Sequence, residues 1–161
     1  MKFPSAFSMI AVAILAEAGY SIFALGLPAG AMLTIVMILP RAPSLGIWAL
    51  GLAVLKEAFP DLRYSSVQGA GRKLPVASAA LLLAQFSLAG FPLLAGFPVR
   101  FALWEGAAAQ SIWMAFGAFV SAVGLFASGL RTLAVLVMGS GDDSWKVSET
   151  WQVNLFLGIG I

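Results

Sequence analysis

The sequence predicts an all-α fold, a polytopic membrane helix bundle with four full transmembrane helices and the start of a fifth. Of the 161 residues, 61% are apolar and only 10% are charged, whereas soluble domains carry about 25% charged residues. A soluble domain of this size could not cover its surface with so few polar side chains. The apolar residues also form continuous stretches of about the 20 residues that a membrane-spanning helix needs.

The predicted spans follow one another along the chain. We expect the first at about 7–25 and the second at about 29–55. The third runs over about 75–107 with a break, and the fourth over about 112–138. A further apolar run, 153–161, is too short to cross a bilayer and predicts the start of a fifth span. We therefore expect one membrane domain over the whole chain, cut short by truncation or completed by residues that lie elsewhere.

The first apolar stretch has an alternative interpretation as a secretory signal peptide. Lys2 would form its basic region and residues 7–15 its apolar region, followed by a small-residue cleavage site at Ala16-Glu17-Ala18. The apolar run continues past that site to Leu27, which favours a membrane span.

The charged residues outside the spans are distributed unequally. The turns at 26–28 and 108–111 carry no charge. The N-terminus and the loops 56–73 and 139–152 are charged, and short loops rich in Lys and Arg stay cytoplasmic. We therefore expect these three segments on the cytoplasmic side of a bacterial-type inner membrane. Their basic residues are Lys2, Lys56, Arg63, Arg72, Lys73 and Lys146.

Composition excludes several classes of function. The chain has no Cys and no His, which removes disulfides, thiol nucleophiles, haem–His ligation and the common zinc sites. The net charge of +2 is too small to indicate nucleic-acid binding. The sequence also carries no glycine-rich nucleotide motif and no metal-ligand cluster. We expect no metal and no cofactor here, so function must depend on a few charges within the membrane.

Five charged residues fall within the predicted spans, where charges are costly and usually face protein or water. Glu17 is the one acid deep within a span, and we expect it to lie nearer Arg41 or Arg100 than lipid. The alternative is a buried structural ion pair. Arg41 is flanked by prolines and could instead mark a turn between two short helices. Glu105 and Arg131 lie near span ends and could extend to the interface.

Arg131 also lies on a face of small residues in the fourth span. Gly117, Ser121, Gly124 and Ser128 repeat at the i, i+4, i+7 and i+11 spacing of one helix face. Arg131 follows at i+14. Because small residues allow close approach of membrane helices, we predict that Arg131 points toward a neighbouring helix.

The third span contains a predicted break at Gly90-Phe91-Pro92. Pro92 has no N–H to donate, and its ring clashes with the preceding helical turn. A break in a membrane helix persists only where protein or water bonds to the freed carbonyls, and broken helices beside a charge are typical of transporters. A plain proline kink is the alternative.

Several segments together resemble one protein family. Residues 73–76 (KLPV), 87–92 (SLAGFP) and 94–101 (LAGFPVRF) are similar to the R-x-P … S-L-A-G-x-P-P-x-A-G-F-x-x-K-F signature. Weaker similarities lie at 16–20 (AEAGY) and 44–46 (SLG). The signature belongs to the antiporter-like subunits of respiratory complex I and of Mrp-type antiporters, and the complex I subunit N branch is the most similar.

The resemblance implies a fold of fourteen helices with two inverted five-helix repeats, each containing a broken helix. The four spans would be the tenth to thirteenth helices, in the C-terminal repeat. Arg100 stands where the family has a Lys or Glu, and Glu17 stands at the position of a family His. Because an arginine remains charged, Arg100 would act as a fixed charge rather than as a proton carrier.

The function implied is that of part of a proton-translocating subunit in a quinone-linked NADH dehydrogenase-type complex. Glu17 would relay protons and Arg100 would form an electrostatic gate. The chain would be at most a membrane subunit of an NADH-quinone oxidoreductase, without a catalytic site or cofactor of its own, and its partner subunits would supply both. The residues implied for the relay or gate are Glu17, Arg100, Arg41 and Arg131. The residues implied at the break are Gly90, Phe91, Pro92 and the water-orienting Gln85 and Ser87.

Two other functions remain open. The chain could be a non-catalytic, degenerate helical scaffold that fills area in a membrane complex. It could also belong to a solute permease of another family, although no substrate-binding constellation is evident. In each case we expect contact with other membrane subunits and the lipid bilayer, and none with nucleic acid.

Overall fold

The computed structural model describes residues 6–59 and 61–138, together with the single positions 151, 155 and 158. These residues form helices joined by connections of different lengths, with no strand among them. The predicted all-α class is therefore confirmed for this part of the chain. The loop 139–152 and the apolar run 153–161 lie almost entirely outside the described residues. The helices are α1 Ala6–Leu25, α2 Gly30–Ala58, α3 Pro75–Ala89, α4 Phe97–Gln110 and α5 Ile112–Val137, with a 3-10 turn at Ala70–Arg72.

Two of these helices, α2 and α5, are long and apolar enough to cross a membrane on their own. Shorter apolar stretches lie at Met9–Leu25 and Pro75–Ala89. The α3 and α4 helices divide the predicted third span between them, so neither reaches full length by itself. A membrane-spanning character is supported for α2 and α5, whereas the count of four spans stays a prediction.

The α2 helix is continuous although it contains Pro40 and Pro43. The alternative that Arg41 marks a turn between two short helices is therefore wrong. Proline removes one backbone donor but is tolerated in a helix when neighbouring side chains satisfy the freed groups. The carbonyls that lose a donor are those of residues 36 and 39, and the Ser44 hydroxyl makes a separate bond to the Pro40 carbonyl at 2.7 Å.

The main apolar core lies where α2 packs against α3 and α5. Gly51 allows the close approach of α2 to α3, because a Cβ there would lie only 3.2 Å from the Leu81 Cβ. Trp48, Leu52 and Leu55 of α2 are buried in this core.

The connection between α2 and α3 folds against the end of α5. Gly69 donates its backbone N–H to the Val135 carbonyl at 2.9 Å. At the opposite end of the helices, the Gln110 side-chain amide donates to the Gly26 carbonyl at 3.4 Å. The loop 59–74 and the C-terminal end of α5 therefore lie at one end, and the two uncharged turns at the other. Which end is cytoplasmic stays a prediction.

The packed face of α5 differs from the predicted face by one residue. Gly117 and Gly124 have no neighbouring atom within 4 Å of an added Cβ, and Arg131 is exposed. The guanidinium of Arg131 lies 5.4 Å from the centre of the Tyr64 ring, in the loop. The prediction that Arg131 points to a neighbouring helix is thus wrong within the described chain. The buried residues of α5 are Ala118, Ala122, Gly129, Thr132 and Leu136.

Candidate functional site

The predicted helix break is confirmed. The α3 helix ends at Ala89, and Gly90 follows with φ 78°, in the left-handed region that glycine adopts readily. The N–H groups of Phe91 and Gly90 close the helix end by donating to the Phe86 and Ser87 carbonyls, at 3.0 and 3.1 Å. The α4 helix begins at Phe97. The interruption therefore spans residues 90–96.

Two glycines let the broken ends approach each other. A Cβ at Gly90 would lie 2.8 Å from the Arg100 Cγ, and a Cβ at Gly96 would collide with the Ser87 carbonyl oxygen. The aliphatic stem of Arg100 therefore lies directly against the end of α3. Only residues without a side chain fit at these two positions without a local shift.

The break also leaves a backbone acceptor free. In a continuous helix the Leu88 carbonyl would accept the N–H of residue 92, but that residue is a proline and has none. Instead, Nη2 of Arg100 donates to the Leu88 carbonyl at 2.7 Å. The Arg100 side chain thus replaces the hydrogen bond that Pro92 cannot donate. The charged group of α4 is therefore bound directly to the end of α3.

Three charged residues from three helices meet beside this point. Glu17 of α1 accepts a hydrogen bond at Oε1 from Nη2 of Arg100 in α4. Its other oxygen, Oε2, accepts from Nε of Arg41 in α2 at 2.8 Å. Glu17 and Arg100 are buried, and the Arg41 side chain is 16% exposed. The prediction that Glu17 lies near Arg41 or Arg100 is confirmed, and it contacts both.

Polar neighbours orient the two guanidinium groups. Nη1 of Arg41 donates to the Ser21 hydroxyl at 2.6 Å. The Arg100 guanidinium lies 3.7 Å from the centre of the Tyr20 ring, as a cation–π contact. The Tyr20 hydroxyl in turn donates to the Ala118 carbonyl at 2.7 Å. The sequence analysis did not select Tyr20 or Ser21, although their i+3 and i+4 spacing from Glu17 places them on its helix face.

Ser87 belongs to this cluster, but Gln85 does not. Ser87 lines a cavity of about 20 Å³ together with Glu17, Arg41 and Arg100, and its hydroxyl lies 3.1 Å from that of Ser44. Gln85 instead donates to the Ser128 hydroxyl of α5 at 2.8 Å and lines a different cavity. The expectation that both residues serve one water site at the break is therefore not met.

The remaining predicted charges lie away from the cluster. Glu105 is exposed on α4, and its extension to a membrane interface stays a prediction. Arg131 is exposed as well and lies over the loop. The described part of the chain contains no group of three or more metal-ligating side chains. The candidate site therefore consists of Glu17, Arg41 and Arg100, with Ser87 and the break beside them.

Comparisons with known proteins agree on one kind of relative. The chain is 29% identical over 141 residues to NADH-quinone oxidoreductase subunit N of Trichlorobacter lovleyi, which covers 85% of this chain and 29% of that protein. It is 30% identical over 104 residues to subunit N 1 of Herpetosiphon aurantiacus, covering 62% and 21%. It is 32% identical over 95 residues to subunit N of Dehalococcoides mccartyi, covering 58% and 20%.

These similarities support the complex I antiporter-like family in general. The chain spans between 20% and 29% of the length of these relatives. No protein-family model matches the chain, and no solved structure matches it with statistical significance.

Proposed function

We propose that this chain is part of a proton-translocating, antiporter-like membrane subunit of an NADH-quinone oxidoreductase-type complex, corresponding to the C-terminal part of a subunit N. One observation carries the proposal: a buried carboxylate, Glu17, is held between two arginines directly at a helix break. Buried charges at a break are expensive in a membrane and are characteristic of ion pathways. The similarity to subunits N supports the same assignment.

The geometry limits how the site could work. Both oxygens of Glu17 accept bonds from guanidinium groups, so a proton relayed through Glu17 would bind beside two positive charges, on a lone pair that these bonds leave free. Arg100 remains charged throughout and contacts both Glu17 and the end of α3. We therefore assign Arg100 the role of an electrostatic gate, whose displacement would expose the carboxylate to water.

A second function, that of a non-catalytic scaffold, is favoured by the complete pairing of the Glu17 carboxylate in the same cluster. Each Glu17 oxygen has a charged partner, as expected for an ion pair that only joins helices. The outer surfaces of α1, α2 and α5 are also rich in exposed aliphatic side chains, which would suit contact with lipid or other subunits. Exposed examples are Leu15, Ile22, Ile35, Leu39 and Val120.

Substitution of Arg100 separates the two functions. Arg100→Lys keeps a positive charge at the break and should retain part of the proton flux, whereas Arg100→Ala should abolish or uncouple it. Flux is measured in membrane vesicles and normalised to the amount of assembled complex. Arg63→Gln provides the control, because Arg63 is an exposed loop arginine paired with exposed Asp61.

The outcomes are distinct. Transport predicts normalised flux in the order wild type, Lys variant, Ala variant, with the control unchanged. The scaffold function predicts that Arg100→Ala lowers the amount of assembled complex but leaves the flux per complex equal to wild type. Equal normalised flux in all variants would therefore end the transport assignment for this residue.

We also propose that the loop 56–73 faces the cytoplasm of a bacterial inner membrane, because its charge follows the positive-inside rule. The absence of native Cys makes single-cysteine labelling free of background. In intact cells, a membrane-impermeant thiol reagent should label Gly26→Cys but not Asp61→Cys, and inverted vesicles should give the reverse. The opposite pattern would overturn the orientation.

A further inference from the structure

We infer that the surface of α1 and α2 beside Arg41 is a docking surface for a membrane helix of another protein chain, and that this helix carries one carboxylate. The inference rests on the membrane location in the proposed function and does not depend on proton translocation. Three observations carry it: an excess of positive charge around Glu17, the depth of Arg41 in the membrane, and an apolar surface beside Arg41 that the described residues leave uncovered.

The ionised side chains of the cluster do not balance. Glu17 contributes one negative charge against the positive charges of Arg41 and Arg100, and arginine remains charged in proteins. The other acids of the described chain lie away from the cluster and are exposed: Glu57, Asp61 and Glu105. A charge within a membrane is costly unless a counter-charge or water reaches it. The cluster therefore lacks one negative charge.

Arg41 lies too deep for lipid headgroups to supply this charge. At about 1.5 Å per residue, it is about 16 Å from Gly30 and about 25 Å from Ala58 along the α2 axis. The hydrocarbon core of a bilayer is about 30 Å thick, so Arg41 lies well inside it when α2 crosses. Its guanidinium is also held toward α1 by bonds to Glu17 and Ser21. The missing charge is therefore expected from another membrane segment.

The surface beside Arg41 is apolar and accessible. The bond from Arg41 to Ser21 places these two residues opposite each other, so the residues one turn away on each helix flank them. Ala18 of α1 and Ile38 of α2 are such residues, and both are exposed. The Arg41 side chain is 16% exposed, against 4% for Arg100. Arg41 is therefore the arginine that a neighbouring helix can reach.

These properties define the chemistry of the partner. An apolar helix matches the exposed surfaces of Ala18 and Ile38, and the small side chain of Ala18 allows it to approach closely. An Asp or Glu near the middle of that helix would neutralise the excess charge at Arg41. A carboxylate at this depth is itself costly without a partner, so the pairing would stabilise both chains.

Synthetic membrane peptides test the inference. Each peptide is a polyleucine helix of about 21 residues with a single Glu, Gln or Lys at its centre and an acceptor fluorophore at its end. The full chain carries the donor fluorophore on Gly26→Cys, because it has no native Cys. Energy transfer in phosphatidylcholine vesicles, measured against the peptide-to-lipid ratio, reports binding. We expect the Glu peptide to bind wild type at least about tenfold more tightly than the Gln peptide, and the Lys peptide to bind less tightly than either.

Two variants assign this preference to the surface. Arg41→Gln removes the excess charge and should bind the Glu and Gln peptides equally. Ala18→Phe adds bulk to the surface without removing a charge and should weaken binding of the Glu peptide. Arg63→Gln is the matched control, because Arg63 is an exposed loop arginine, and it should bind all three peptides as wild type does.

Equal binding of the Glu and Gln peptides by wild type would overturn the inference and would indicate that water compensates the excess charge. A preference for the Glu peptide that persists in folded Arg41→Gln would overturn it as well, and so would unchanged binding by Ala18→Phe. If Arg41→Gln does not fold, the three peptides on wild type and on Ala18→Phe still decide. None of these results bears on proton flux, which is measured separately.

Discussion

The two halves of the broken helix, α3 and α4, differ sharply in how they are buried. Nine of the 15 residues of α3 are buried, most of them apolar and packed against α2 and α5. Only three of the 14 residues of α4 are buried, namely Arg100, Leu103 and Ala107. The α3 half is therefore held by close packing, whereas the inner face of α4 is a narrow stripe that begins with a charge.

The two halves of the predicted third span are therefore stabilised by two different kinds of interaction. Packing around α3 depends on shape and on van der Waals contact. The attachment of α4 to the rest of the chain near the break depends on Arg100, which bonds to Glu17 and to the Leu88 carbonyl. Substitutions that remove a charge should consequently act mainly on α4, and substitutions that change side-chain volume should act mainly on α3.

The largest effect is expected from Glu17→Gln. This change leaves buried Arg100 and partly exposed Arg41 without their counter-charge, and breaking a buried ion pair costs about 3–5 kcal/mol. Unfolding of the detergent-purified chain by a denaturing detergent measures the loss. Arg63→Gln, which breaks an exposed pair, should change stability by less than about 1 kcal/mol. Equal effects of the two variants would show that the buried cluster does not hold α4.

Packing of the α3 half is tested by Leu81→Ala. The Leu81 side chain is 3% exposed, and removal of a buried leucine side chain costs about 2–5 kcal/mol by leaving a cavity. Leu15→Ala in α1 is the matched control, because Leu15 is 74% exposed. We expect a clear loss of unfolding free energy for the first variant and little change for the second. A loss of similar size in both would contradict the description of α3 as a packed centre.

The close contact between the halves is tested by Gly96→Ala. The added methyl group would collide with the Ser87 carbonyl, and overpacking of this kind costs about 1–3 kcal/mol. Gly46→Ala adds a methyl group where nothing lies within 4 Å and should be neutral or slightly stabilising in a helix. The same unfolding assay measures both, and a neutral Gly96→Ala would mean that the break is wider than described.

The smallest effect is expected from Tyr20→Phe. The change removes the hydroxyl that donates to the Ala118 carbonyl but keeps the ring beneath Arg100. A single hydrogen bond contributes about 1 kcal/mol, so unfolding free energy should fall by about that amount. A loss as large as that of Glu17→Gln would show that Tyr20 supports the charged cluster more than its ring contact suggests.

The sequence was sufficient to predict the break and the pairing of Glu17. Glycine and proline act locally, so their effect on a helix is visible without a structure. The one acid deep within a predicted span also has few possible partners, and Glu17 contacts both of the arginines proposed for it. The same reasoning could not reveal that Leu88 needs Arg100, since that bond joins residues on both sides of the break.

The face of α5 shows why other predictions failed. Small residues were taken as the packing face, but Gly117 and Gly124 have open space beside them, while Ala118 and Ala122 are buried. Positions one residue apart differ by 100° around a helix, and both rows contain small residues, so composition alone does not choose between them. The direction of the Gln85 side chain depended on which face of α5 packs against α3, because its partner Ser128 lies on α5.

The coupling between Glu17 and Arg100 tests the central claim, that charge holds α4 in place at the helix break. A double-mutant cycle compares the unfolding free energies of wild type, Glu17→Gln, Arg100→Gln and the double variant. The account predicts a favourable coupling of about 2 kcal/mol or more, within the range for residues in one ionic network. A coupling near zero would contradict it, since the two side chains would then contribute independently.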